Sequence, residues 1–547
     1  MKKWIALVCA LTLICSCACG ALAETNVFGW EIPEEPLKID VFIGQNNWVE
    51  IEEQKDGAAR MKQYLKDNFN IDYTYQTTDG EENEALNLAL ASGTYAPVIK
   101  GASTEILDKF VAQGRAIDLA PYIDSMPNFK KKAGDMLGMY YDAEGHLYYL
   151  PSSFGNLMDL PDYSAHIRYD EWLEIGSPEI KTPQDYFDAI MKIHELHPTT
   201  PNGETRYTLS MYNQGLPEYI SGYWGLQRGW KVAQDGTLTY WPFTDEGKAM
   251  ARFFNTWWRT GTMDPDSFVN KWDDLRTKIS QERVIAMIGG WWIGYNAGHE
   301  IWSLTDENWT ENKRFIQVGF KDENAENAYI TTKNNLGSEW TILTDKCEDV
   351  EGVLRYIDFI MTDAGAALVN WGIPGEVPSM KDAAKTVSTW HIEGPASWHF
   401  DEEAKQELLA ETWDYNDEGV LGANTGAFAL SACYDRWDDG EHCVWPNQMW
   451  YAENKWKQIM FENMSGTIFD CTALLAVSSM PQDVAMAKTA VEDAYKQYYP
   501  LAVMAEDDDT FEAAWEALQD VMTAADVETY TQFYQSNYTA NLEKMSK

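Results

Sequence analysis

Lys38 to Gly44 places Ile39, Val41 and Ile43 at every second position, and the next apolar set, Ala58, Met61, Tyr64, Leu65 and Phe69, recurs at helix spacing. A period of two followed by a period near 3.6 predicts a strand and then a helix. The switch repeats along the chain. Ile71 to Tyr75 alternates again, Glu84 to Leu90 has helix spacing, Pro97-Val98-Ile99 reads as a short buried strand, and Ile106 to Val111 as a further helix before Ala116 to Leu119. Short strands joined by helices pair through crossovers, which makes the sheet parallel and lays the helices on its faces. An α/β lobe is expected here.

Longer helices are expected at Gln184 to His197 and Asp245 to Arg259, with strands at Val284 to Ile288 and Glu339 to Leu343. Val350 to Asn370 reads as one amphipathic helix, with Val353, Leu354, Ile357, Ile360 and Met361 on one face. The C-terminal third is expected to be helical, with Phe511, Trp515, Leu518 and Val521 on one face and Tyr530, Phe533, Tyr534 and Tyr538 on another. At 547 residues the chain can hold two or three domains, and no low-complexity linker or internal repeat separates them. Any two lobes must therefore interleave along the sequence.

Residues 1–23 have the layout of a secretory signal peptide. Lys2 and Lys3 supply the charge, Trp4 to Cys15 an apolar run of 12 residues, and Ala21-Leu22-Ala23 a small-x-small cleavage site before Glu24. A membrane span needs about 20 apolar residues. Ile14-Cys15-Ser16-Cys17 resembles a bacterial lipobox, in which Cys17 would carry lipid. Both fates put the chain outside the cytoplasm: periplasmic or secreted after plain cleavage, at the cell surface if lipidated. Loss of Lys2 and Lys3 takes the formal charge from −44 to −46, a balance that repels nucleic acid and anionic membranes. It also disfavours polyanionic ligands such as uronates, unless a basic pocket offsets it. Four of the eight cysteines lie in the leader, leaving Cys347, Cys433, Cys443 and Cys471. In an exported chain Cys433 and Cys443 can form a disulfide across Tyr434 to His442, with buried thiols as the alternative. Their spacing matches no zinc pattern.

An ordered set of segments resembles extracellular solute-binding proteins of family 1, the capture components of bacterial sugar ABC importers. The set comprises Ala89-Leu90-Ala91-Ser92-Gly93, Phe110-Val111-Ala112-Gln113-Gly114, Leu119-Ala120-Pro121-Tyr122-Ile123, Gly145 to Pro151, Gly261 to Phe268, Ala286 to Trp292, Tyr356 to Phe359 with Asn370 to Gly375, and Phe511 to Trp515 with Phe533-Tyr534. The resemblance implies a two-lobed periplasmic-binding-protein-like α/β fold that closes on ligand in a cleft, and a membrane permease that reads the closed form. The expected lobes are 24–153 plus about 335–390, and 157–334 plus about 391–500, with 501–547 as helices packing on them. Hinge crossings are expected near Ser152 to Asn156 and Asn334 to Gly337. The chain departs from its relatives at Thr94 to Val98, where they carry an acidic residue and Pro-Asp. It departs again at His197 to Arg206, where some carry a calcium loop. Calcium takes six to eight oxygens; this stretch offers one carboxylate beside cationic Arg206, so no calcium site is expected, nor any cofactor. A monomer is expected.

Aromatic residues suggest how a sugar would be held. The chain has 24 Trp, 29 Tyr and 20 Phe, and the C–H face of a pyranose packs on a π-face while its hydroxyls bond at the edge. Most tryptophans fill cores, so candidates come from polar or glycine-containing surroundings. Asn47 and Trp48 follow the first strand, at the carboxyl end where α/β sheets bind ligands, and amides can both donate and accept; core filling is the alternative for Trp48. In Gly289-Gly290-Trp291-Trp292, one Trp is expected to be a stacking platform and the other core. Trp371, Trp437 beside Asp438 and Asp439, and Phe154 and Asn156 at the hinge complete the set.

Enzyme signatures are weak. With 86 acidic residues some carboxylate pair is always available, so a glycosidase pair carries no information. The two histidines of His194-Glu195-Leu196-His197 are three apart, not four, and fail the zinc-protease geometry. His391 and His399 bracket a Gly-Pro segment that reads as loop, and no nucleophile elbow, phosphate loop or dinucleotide fingerprint occurs. An exported polysaccharide-active enzyme or glycan-binding surface protein, and a peptide-binding receptor, remain as competing readings.

Overall fold

The structure is a computed structural model that describes residues 24–45, 52–78, 81–142, 144–154, 161, 163–212, 216–333, 336–337, 340–378, 386–388, 390–400, 425–433, 455–475 and 480–546. Its larger sheets use, in chain order, β1 (Leu37–Gln45), β2 (Ile71–Thr78), β3 (Val98–Ala102), β4 (Leu150–Pro151), β5 (Tyr163–Arg168), β6 (Tyr207–Met211), β7 (Val284–Gly290), β8 (Phe315–Val318) and β9 (Trp340–Leu343). The chain divides into two compact units, one of residues up to 134, 143–154 and 337–449, the other of 135–142, 155–336 and 450 onward.

In the first unit the strand order is β2-β1-β3-β9-β4. β1 runs parallel to β2 and β3, while β9 is antiparallel to β3 and β4. Ile39 and Val41 are buried on β1, and the helix Glu52–Phe69 buries Ala58, Met61, Leu65 and Phe69 and half-buries Tyr64, the fifth member of the set its spacing predicts. The helix Glu82–Ser92 stops at Gly93, whose left-handed backbone lets its N–H reach the Ala89 and Leu90 carbonyls.

One expectation changes here. Val350 to Asn370 is two helices, Val350–Phe359 and Asp363–Trp371. Thr362 interrupts the run because its hydroxyl accepts from the Gly365 N–H at 3.1 Å and so starts a new helix. His391 and His399 face each other across a hairpin of Trp390–Gly394 and Ser397–Phe400, with stacked rings 5.2 Å apart, and the Gly394-Pro395 segment they bracket leads into its turn. Of the described residues, 390–400 and 425–433 group with this unit. Ala432–Cys433 pairs in parallel with Ser153–Phe154. The Tyr356 and Thr341 hydroxyls donate to the Phe428 and Leu430 carbonyls at 2.9 and 2.6 Å.

In the second unit the order is β8-β5-β7-β6. β5 is antiparallel to β7 and β8, and β6 is parallel to β7. The carboxyl ends of β6, β7 and β8 therefore share one edge with the amino end of β5. The helix Pro183–Leu196 begins with a capping box of Thr182 and Asp185, and Asp245–Arg259 with a Thr244 cap. The C-terminal helices Gln482–Val503, Asp508–Ala524 and Val527–Met545 belong to this unit. Asn255 donates to the Val503 and Ala505 carbonyls at 2.9 and 2.8 Å, fixing the turn between the first two. Met522, rather than Val521, completes the buried face of Phe511, Trp515 and Leu518. Among the described residues no helix is long and apolar enough to cross a membrane.

Candidate functional site

β7 is buried throughout and ends in Gly289 and Gly290, then turns directly into the helix Trp291–Gly294. A Cβ on Gly290 would stand 2.6 Å from the Trp292 ring. Glycine is required there because Trp292 folds back over the backbone of its own strand end. The indole of Trp292 packs on a core that includes Leu275, Ile279, Met287 and Ile293. Trp291 instead meets Trp292 edge-on at 6.0 Å and Tyr295 at 6.5 Å. Both indoles are half-buried, and Trp292 is the one that packs against the core cluster.

Strand pairing extends this pair into a row. Tyr163 opens β5 in register with Gly290, and its ring lies 5.3 Å from Trp292 and 4.7 Å from Tyr219, both edge-to-face. Tyr212 follows β6, with its N–H bonded to the Ile288 carbonyl at 3.0 Å. Tyr163, Tyr212, Tyr219, Trp291, Trp292 and Tyr295 are each half-buried. Aromatic faces backed by a packed core and reached by solvent suit a ligand with apolar C–H faces and polar edges. Beyond Gly294 the helix widens to π geometry over Tyr295–Glu300, a departure frequent at functional sites. Within it His299 is buried beside Tyr295 and Trp309, with ring centroids 5.4 and 5.2 Å away. Burial, with the Arg314 charge, pushes His299 down to about 3, so the imidazole is neutral near pH 7.

The first unit has a smaller aromatic feature at the equivalent edge of its own sheet. Trp340 opens β9 where β3 ends, half-buried, with its ring 4.7 Å from Tyr149 and its indole N–H 3.3 Å from the Thr104 hydroxyl. Sequence reasoning placed Trp340 in a buried strand. Its place at the start of a strand that would pair antiparallel to β3 was the missed signal.

The remaining candidates distribute as follows. Asn47, Trp48, Asn156, Trp437, Cys17 and Cys443 lie outside the described residues. Trp371 is the last residue of its helix. Phe154 is 2% exposed and meets Phe129 edge-to-face at 5.7 Å; it fills the first unit's core, a correction to its expected place on an open face. Cys433 is buried. In the 197–206 loop, Arg206 reaches Glu171 at 2.8 and 3.0 Å and the Glu282 carbonyl at 2.9 Å. A fixed guanidinium thus lies where a calcium loop would need anionic oxygens. Among the described residues no group of three or more His, Cys, Asp or Glu side chains is arranged to hold a metal ion.

No protein-family model matches the chain, and no curated protein matches it in sequence. Solved structures do match. The S. pneumoniae ABC-transporter substrate-binding protein FusA, an EF-hand mutant in complex with fructo-nystose, aligns with a TM-score of 0.67 at 15% identity, covering 92% of this chain and 99% of that one. An extracellular solute-binding protein from Bifidobacterium longum subsp. infantis gives 0.65 at 14%, covering 96% and 100%. The alginate-binding protein AlgQ2 without calcium ion gives 0.62 at 13%, covering 94% and 100%. At these identities the likeness is one of fold: the chain has the α/β fold of solute-binding proteins, C-terminal helices included.

Proposed function

We propose that the chain is the extracytoplasmic capture protein of a carbohydrate ABC importer, binding a neutral oligosaccharide without chemical turnover. The observation that carries this reading is the half-buried aromatic row on the carboxyl edge of the second unit's sheet, with Trp291 and Trp292 on a glycine-opened turn. A run of rings, rather than one, favours a ligand of several sugar units. The row itself carries no carboxylate, so it offers no acid–base pair for glycoside hydrolysis. Net charge favours a neutral glycan over a polyanion. The leader and the solute-binding fold support export and a permease partner. Ligand would act by stabilising one conformation over another, in proportion to its differential affinity.

The test is a thermal-shift screen of the chain from Glu24 onward against neutral oligosaccharides, uronates, peptides and calcium. Ligand at a hundred times its Kd stabilises the folded state by about 2.7 kcal/mol. A rise in Tm with a neutral glycan that is recovered uncleaved is the expected result. A shift with peptides alone, or breakdown of the glycan, overturns the reading.

A further inference from the structure

Arg228 sits at the end of the aromatic row in a conformation that its own backbone does not favour. Gln227 and Trp230 exchange backbone hydrogen bonds in both directions, at 2.7 and 3.0 Å, which makes residues 228 and 229 the loop of a two-residue hairpin. Both have positive φ, +52° at Arg228 and +81° at Gly229. Such turns favour Asn, Asp or Gly at the first position. A long β-carbon-bearing side chain there is strained, and strain of this kind points to a role beyond the fold.

The side chain supplies that role. Its guanidinium carbon lies 3.8 Å from the centroid of Tyr219, the ring that packs on Tyr163. Stacking fixes the guanidinium plane and leaves its N–H edge as a fork of donors. Among the described residues that fork makes no hydrogen bond and no ion pair, in a chain with 86 acidic side chains against 42 basic ones. Glu218, next to Tyr219 in the same helical turn, feels the Arg228 charge but is not bonded to it. Its carboxyl is raised by burial above the usual range and accepts from the Tyr240 hydroxyl at 3.1 Å.

Resting on the proposed function above, we infer that Arg228 is a specificity-determining contact. Its fork donates to two vicinal hydroxyl oxygens on a neutral ring of a saccharide seated on Tyr219 and Tyr163. Ligands that present such a pair beside an apolar ring face are selected.

The test uses Arg228→Gly and Arg228→Asn, which suit the turn, with maltotetraose, nystose and trigalacturonate as probes in isothermal titration. Both variants should melt at or above the wild-type Tm and bind the preferred probe roughly tenfold to a hundredfold more weakly. Arg228→Lys, which keeps the charge without the fork, should recover only part of the loss. A loss on a neutral probe that is indifferent to salt supports the assignment; binding confined to trigalacturonate, with affinity that falls with salt, overturns the neutral-glycan reading and the hydroxyl assignment with it. Wild-type affinity in Arg228→Gly overturns the assignment alone. A wild-type chain that binds no saccharide overturns the proposed function and the assignment with it.

Discussion

The two edges of the second unit's sheet are built by opposite rules. At the amino edge, where β6, β7 and β8 begin and β5 ends, charges meet charges. Arg168 is 2% exposed and pairs with Asp170 at 2.7 Å and Glu171 at 3.4 Å. Arg206 holds Glu171 at 2.8 Å, and Lys313 holds Glu282 at 2.9 Å and Asp306 at 2.6 Å. Burial opposes the Arg168 charge, but Glu171 and Asp170 outweigh it and hold the guanidinium firmly protonated. At the carboxyl edge rings meet rings, each half-buried, on a glycine-opened turn. One edge spends most of its charge on partners within the protein, with Arg168 Nη1 buried 3.7 Å from Glu282 and beyond hydrogen-bond reach of it. The other keeps π-faces within reach of solvent, so the edge expected to cost most to disturb is not the edge proposed to bind ligand.

Breaking the closed edge should have the largest effect. Arg206→Met leaves buried Glu171 with Arg168 alone, 3.4 Å away, and should cost about 3 kcal/mol of unfolding free energy, with glycan affinity unchanged below the new Tm. Denaturant titration alongside calorimetry checks both halves. On the open edge Trp292→Ala removes the supporting ring from the core and should cost roughly 2 to 3 kcal/mol, less than a fully buried indole because the ring is half-exposed.

Acid probes the strand between the edges. His166, mid-strand on β5, is pushed down to about 3 by burial. Between that value and the unfolded value near 6.5 the unfolded chain binds the extra proton, so this stability is full above pH 6.5 and is lost as pH falls. From pH 7 to 5 the loss is about 2 kcal/mol. His166→Gln should flatten that slope, as read from urea midpoints at each pH; an unchanged slope would mean that His166 does not stay neutral. The smallest effect on the fold belongs to Trp291→Ala, within about 1 kcal/mol in stability, although it should weaken glycan binding by roughly 1 to 3 kcal/mol. Equal changes in Tm for the Trp291 and Trp292 variants would erase the distinction between platform and support.

Much of the scaffold was legible because periodicity is local. Strands β1, β2, β3 and β7 and the helix Asp245–Arg259 follow from apolar spacing alone. Gly289-Gly290-Trp291-Trp292 advertised itself because two glycines before two indoles leave room for a ring to fold back. Tyr163 and Tyr219 escaped notice because their place in the row depends on strand direction: β5 is antiparallel, so its first residue lands where β7 ends. Phe154 was misread because its cover comes from far along the chain, with Ala432–Cys433 pairing beside it and Phe129 against its ring. The ionic edge joins residues from 168 to 313, and no local pattern announces such a network.

The most direct measurement is a crystal structure of the chain with the oligosaccharide that gives the largest thermal shift. The account predicts a sugar ring lying flat on Trp291, carbon atoms about 4 Å from the indole face, with further units along Tyr163 and Tyr219. A sugar bound elsewhere, with Trp291 untouched, would contradict it.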